Sequence, residues 1–516
     1  MKSLNVPLPT GSYKYESNKV STQRLVNLFS QKVEHNNSMV NTGTSFAILS
    51  IPGSTSAVSL PTSGSNIGIR GIYGSSTGPS PDFTEKLYVA DGATIFRVNP
   101  DNTSVKLGDV GPNAGRIYIT ESGGLDSQLC VVDGYNLWTA SLIASDMDVV
   151  NTLIPVTLPF IAGTDYTPIT PTQIVNLNGH VILNSDNSNQ FYYSKVNDVT
   201  STSAWSNAAF YTKYGSSDVI NGLATVGGTL VVFGTKSFEL WNETGNYLNP
   251  FARIGGSFQW IGCQAPDSIS TLQDKLFWLG SGPAGHNMIF MMDPSGNCTR
   301  ISNNSLEYQF NRFKDTTDAI GFCYSDDGNY FYVISFVTDD RTFVFDMSTQ
   351  EWHERTSHDL YTNEDHRWNP TFASFCYGKL YFGSADNSVL LFLDDSSQTE
   401  WDGRPIVKYL VTPMYYSNYN NFIVREFMLY CNVGETTLLE GQGSDPQIML
   451  AISDDGGYTW SSEYWEPLGK QGNYLNIVRW FDIGETRNCV IKLQVSDPVN
   501  LVLISAKMNV SECRND

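Results

Sequence analysis

KLYVADGATIFRV, running from Lys86 to Val98, carries the pattern on which the fold turns: an apolar run, an Asp-Gly pair, and a second apolar run. QLCVVDGYNLWTA repeats it from Gln128. Looser copies follow as HVILNSD from His180, TLVVFGTKSFELW from Thr229, KLFWLGS from Lys275, NYFYVISF from Asn329 and KLYFGSADNSVLLFL from Lys379. With Leu87, Leu129, Val181, Leu230, Leu276, Tyr330 and Leu380 as anchors, successive steps are 42, 52, 49, 46, 54 and 50 residues. A hairpin recurring every ~40–50 residues is the signature of propeller blades.

The physical case rests on the turns and their flanks. Asp91-Gly92 and Asp133-Gly134 are expected to take positive φ, as a tight hairpin turn requires, and the β-branched and aromatic residues beside them suit strands. A lone hairpin cannot bury its apolar face. Radial stacking buries that face on each neighbour and leaves short edges, so the repeats are expected to close into a ring. The competing arrangement is a set of unrelated hairpins in two sandwiches, which the uneven steps leave open.

Composition agrees with an all-β protein. Of 516 residues only 16% are charged, while Gly numbers 43 and Tyr and Phe 27 each, a bias toward strands and turns. No segment sustains a helical period, and the best short helix candidate is SLEYQFNRF, Ser305 to Phe313, placed as an insertion between blades. Residues 1–60 are expected to form an extended arm and the start of the propeller. Residues 61–400 carry the propeller with inter-blade insertions, and 401–516 form a C-terminal β-sandwich-like domain of about five strands. Seven hairpins are counted, yet six or seven blades remain open, because the N-terminal segment either completes a blade or caps one.

Charge and cysteines narrow the function. With 52 acidic against 31 basic residues the formal charge is −21, which argues against a conventional DNA-binding footprint and is compatible with a conduit wall that repels phosphate, while composition alone favours a simply acidic surface. The eight cysteines show no CxxC pair and read as buried thiols. The N-terminus has no apolar stretch suited to a signal peptide, and no run of ~18 apolar residues suits a membrane span, so a cytosol-like compartment is expected before assembly.

Several motifs bear on chemistry. Ser453 to Trp460, SDDGGYTW, matches the Asp-box pattern, in which acid and hydroxyl bind the turn and the Trp packs beneath, fixing a hairpin without chemistry. His353, His358 and His366 lie near Glu351, Glu354, Asp359, Glu364 and Asp365, the densest His/acid region, expected as an exposed polar connection after RTFVFDM. Tyr415, Tyr416 and Tyr419 are expected either to stack on sugars or to pack an interdomain seam. No GxSxG elbow, P-loop, HExxH helix or complete EF-hand loop is present, and no carboxylate spacing singles out a glycosidase pair. No catalytic, cofactor-binding or metal residue is nominated, and no cofactor is expected.

One set of landmarks runs along nearly the whole chain. RLVNLFSQ (Arg24 to Gln31) and IPG (Ile51 to Gly53) come first, then GLATVGGTLVVFGTKSFELWNETG (Gly222 to Gly245) and ARIGGSFQWIGCQAPDSISTLQDKLFWLG (Ala252 to Gly280). SDDGGYTW, a strand bearing Trp480, GETR (Gly484 to Arg487) and a strand after Pro498 complete it. In order and spacing the chain resembles the packaged-DNA stabilization proteins of short-tailed bacteriophages, also called tail hub or nozzle proteins. The resemblance implies a non-enzymatic virion protein of the tail, made in the bacterial host cytoplasm. It implies a homohexamer below the portal-adaptor ring that retains packaged DNA and lines its exit channel without sequence-specific binding. Tailspikes or tail fibres and a needle or plug protein are the further partners it implies. A propeller-scaffold glycan hydrolase or carbohydrate-binding protein is the alternative reading.

Overall fold

Seven blades of four antiparallel strands follow one another around a ring, six of them as separate sheets and the sixth in sequence as part of a larger twelve-stranded sheet. The computed structural model describes residues 2–513 except 16, 18–20, 34–44, 62–67, 76–84, 112–114, 125–126, 143–152, 162–166, 284, 360, 418–419, 434–440, 471 and 474–475. The innermost strands of blades one to seven are Ile69–Ser75, Tyr118–Glu121, Ile174–Leu177, Ile220–Val226, Gly262–Leu272, Ile320–Asp326 and Pro370–Cys376. Each sequence anchor lies in or at the start of the second strand of its blade.

Period-two alternation explains why those second strands are buried throughout. In blade one, Leu87 and Val89 pack with Tyr381 and Leu390 of blade seven, while Tyr88 and Ala90 pack with Leu129 and Val131 of blade two. Cys130 and Val132 then face Val181 and Leu183 of blade three. Both faces of the pleat are therefore apolar, and every blade is clamped between two others.

The open question of blade number is decided by the N-terminus. Gly53–Ser59 pairs antiparallel with Val389–Asp394 as the outer strand of blade seven, Ser59 opposite Val389 and Gly53 opposite Asp394. The ring is thus closed by strands more than three hundred residues apart, and there are seven blades.

The other described strands of the first sixty residues, expected as an extended arm, pair with their own chain. Lys2–Val6 lies against Val502–Glu512, and Leu28–Val33 pairs with Ser45–Ser50 in the same sandwich sheet as Phe422–Asn432 and Asn476–Thr486. Thr22–Val26 joins Lys408–Val411, Asn488–Val495, Gln447–Ser453 and Tyr464–Pro467 in the second sheet. Leu25, Leu410, Phe427, Leu450, Trp480 and Ile491 meet in the core between the two sheets. A parallel pairing of Val26 with Glu354 makes the second sheet continuous with blade six.

Two local expectations are refined. At the Asp-Gly turns only the glycines take positive φ, 53° at Gly92 and 91° at Gly134. At the second turn the aspartate holds the chain through its side chain instead, whereas Asp91 accepts from the Ser388 hydroxyl of blade seven at 2.9 Å. Asp133 accepts from the backbone N–H groups of Tyr135 and Asn136 at 3.0 and 2.8 Å and from the Trp138 indole at 2.9 Å. The short helix is Asn304–Phe310, between blades five and six, and the side chain of Asn303 caps it by accepting from Leu306 N–H at 2.9 Å.

Candidate functional site

Propellers commonly place ligands at their axis, where the innermost strands converge. Here side chains from four blades meet across it. The Tyr118 hydroxyl of blade two donates to Asp267 of blade five, and Gln173 at the entry to blade three donates to the Tyr118 oxygen at 2.6 Å and to the Pro266 carbonyl at 3.1 Å. Arg116 donates to the Asp267 carbonyl at 2.7 Å, its guanidinium lying 4.8 Å from the Tyr118 ring centre and 4.9 Å from that of Phe372 in blade seven. Burial, and then the Asp267 carboxylate, push the Tyr118 phenol well above its usual range, so it stays a donor. This bridge joins blades that are not neighbours and crosses the centre of the ring. It ties the hub together across the axis.

The His/acid region is not the exposed connection expected of it. Glu351–Asp359 and Glu364–Arg367 form an antiparallel hairpin at the outer edge of blade six. His353 is buried against the rings of Phe29 and Phe331, and burial, then Arg355, hold its imidazole well below its usual pKa. His358 meets Asp365 at 2.8 Å and His366 meets Asp340 at 2.6 Å. The three histidines point to three different partners, because alternate residues of a strand face opposite sides. The structure does not gather them into a ligand set.

The Asp box closes its turn in the sandwich, as expected. Asp455 accepts from Tyr458 N–H at 2.9 Å, from Thr459 N–H at 2.9 Å and from the Thr459 hydroxyl at 2.6 Å, which together hold its carboxyl well below the usual range. Trp460 keeps 36% of its surface exposed. Of the three tyrosines, Tyr415 donates to the Pro7 carbonyl at 2.9 Å in a seam, Tyr416 is 58% exposed, and Tyr419 lies outside the described residues. All eight cysteines are free thiols; five are buried, and Cys298, Cys323 and Cys513 are half-buried.

Two constellations escaped the sequence reading. Asp326, Asp327 and Asp395 bring carboxylate oxygens within 4.8 Å of one another, from blades six and seven, and offer oxygen ligands of the kind that hold hard cations. The second is the junction of propeller and sandwich, built by RLVNLFSQ. Arg24 grips Glu354 with two bonds of 2.8 and 2.5 Å, and Asn27, fully buried with φ 55°, donates to the carbonyls of Thr356 at 3.0 Å and Val407 at 2.8 Å. The same asparagine side chain accepts from Thr356 N–H at 2.9 Å. One motif therefore ties blade six to the sandwich.

The sequence matches the family model described as bacteriophage P22 Gp10, β-propeller, over residues 5–398, and that described as P22 Gp10, β-sandwich, over residues 408–511. The chain belongs to the bacteriophage P22 Gp10 family. As a member of this family of packaged-DNA stabilization proteins, it is a structural protein of a phage tail. Comparison with curated proteins finds no match. Among solved structures, a virginiamycin B lyase from Staphylococcus aureus is similar at 12% identity and a TM-score of 0.41, over 65% of this chain and 98% of its own. The extracellular domain of a putative one component system from B. thetaiotaomicron is similar at 12% identity and a TM-score of 0.42, over 86% of this chain and 58% of its own. At these values neither bears on the activity of the Gp10-family chain.

Proposed function

We propose that this chain is a wall subunit of a tail nozzle: six copies form a ring below the portal-adaptor, help retain the packaged genome and line the path by which it leaves. The bridge of Tyr118, Asp267 and Arg116 carries this reading beyond family membership. With the propeller axis crossed, DNA passes between copies and not through a blade ring. A formal charge of −21 keeps phosphate from adhering to such a wall. Blades clamped on both sides suit a load-bearing spacer, since none opens alone. Tailspike or fibre and a needle or plug are the neighbours of the ring in this reading.

Mass photometry of the protein alone and with its cognate portal-adaptor complex, followed by imaging, tests the proposal. Six copies docked on the adaptor around an open channel are expected. A monomer that ignores the adaptor and cleaves or binds glycan would overturn it.

A further inference from the structure

A cleft of about 400 Å³ opens where blade six, the N-terminal strands and the sandwich meet. Lys14, Arg24, Arg312 and Arg341 line it against a single carboxylate, Glu354, which Arg24 already engages at both oxygens. It continues into a depression of about 130 Å³ where Lys492 joins Lys14 and Arg24. Five cations thus converge on one seam of a protein whose formal charge is −21. Their crowding is felt locally: burial first, and then the charges of Arg24 and Arg341, depress the Lys14 ammonium.

The walls are aromatic. Arg312 lies 3.9 Å over the Tyr308 ring, and the Asp-box hairpin presents Tyr458, 67% exposed, to the cleft and Trp460 to its continuation. Arginine and aromatic side chains are the residues enriched where protein surfaces dock.

We propose that this cleft seats an acidic segment of a second copy of the chain. Charge complementarity selects that occupant: the chain's own surface is strongly acidic, and a head-to-tail ring needs two unlike faces on each copy. Duplex DNA suits it less well, because a rod with one charge per about 1.7 Å would leave the small cleft and run over acidic surface. A docked segment would touch blade six, the N-terminal strands and the sandwich at once, bracing their relative pose. The proposal rests on the ring reading above and gives it a contact.

The test compares the full-length protein with Arg312→Glu/Arg341→Glu, and with Arg312→Gln/Arg341→Gln as a milder pair, after thermal unfolding has confirmed that each folds. A photo-crosslinking residue replaces Tyr458 in each background. Assembly with the adaptor is followed by mass photometry at low and high salt, and duplex DNA binding by anisotropy. The expected result is copy-to-copy crosslinks from position 458 to acidic segments, with the charge-reversed pair associating about a hundredfold more weakly. Rings that form equally well with the reversed pair would overturn this contact and leave the ring reading intact. DNA binding that the reversal abolishes, without copy-to-copy crosslinks, would reassign the cleft to nucleic acid. Absence of rings with every protein would overturn both proposals.

Discussion

Arg24 and Glu354, 330 positions apart in sequence, form a bidentate ion pair with Nε–Oε1 at 2.8 Å and Nη2–Oε2 at 2.5 Å. Glu354 is also the residue whose pairing with Val26, two positions after Arg24, joins the sandwich sheet to the propeller. Burial alone would raise the Glu354 carboxyl, but Arg24 outweighs it and holds the group below its usual value.

Removing one partner of this pair strands a buried charge. Arg24→Ala is expected to cost about 3–5 kcal/mol in urea unfolding, and Arg24→Met/Glu354→Leu to recover most of it. The folded value of Glu354 lies below the unfolded one, so its contribution is complete above about pH 4.3 and is lost as pH falls through the folded value. Glu354→Gln should flatten that acid limb, and an unchanged limb would contradict the assignment.

Asn27 combines a left-handed backbone with four side-chain hydrogen bonds at zero exposure. Asn27→Ala is expected to lose about 3 kcal/mol or more, through unsatisfied groups and the positive φ. Asn27→Gly relieves only the backbone part and should lie about 1 kcal/mol above the alanine variant. Chemical denaturation of the three proteins would check the order.

Lys408 begins the strand that enters the sandwich, and its ammonium is buried with the Val499 carbonyl 2.8 Å away. Burial, partly offset by Asp497, lowers its pKa from 10.5 to about 7. Between those values the unfolded chain binds the extra proton, so stability rises with pH across pH 7 to 10 and the full penalty applies below. The slope from this group approaches ~1.4 kcal/mol per pH unit, and Lys408→Met should remove it in thermal unfolding profiles.

Deleting residues 2–9 takes away the strand that covers Val502–Glu512 and the Pro7 carbonyl that receives the Tyr415 hydroxyl. Faster amide exchange is expected along Val502–Glu512, with the blades of the propeller still protected. Loss of protection in the blades would mean that the two units unfold together.

Much of the scaffold was legible because its signals are local. KLYVADGATIFRV contains both strands of a hairpin, its glycine turn and two apolar faces, and each later copy needs no distant residue to be read. The short helix was legible for the same reason, from SLEYQFNRF alone. The His/acid region misled because proximity in sequence was read as proximity in space. Along a strand, His353 and Glu354 face opposite sides, and their partners Phe331 and Arg24 come from elsewhere. The carboxylates of Asp327 and Asp395 offered no signal at all, being adjacent only after blades six and seven pack.

By itself the sequence determined an all-β chain with seven hairpins, buried on both faces, and a separate run of strands toward its C-terminus. Only the tertiary structure decided which strands pair across long separations. Gly53–Ser59 closes blade seven, Lys2–Val6 joins the sandwich, and Thr22–Val26 links that sandwich to blade six. The reason is physical: alternation marks a segment as a strand, but ladder hydrogen bonds come from backbone groups common to nearly every residue. Partner and register are selected by the apolar faces that must be covered once the blades have met, and that information resides in the packed whole.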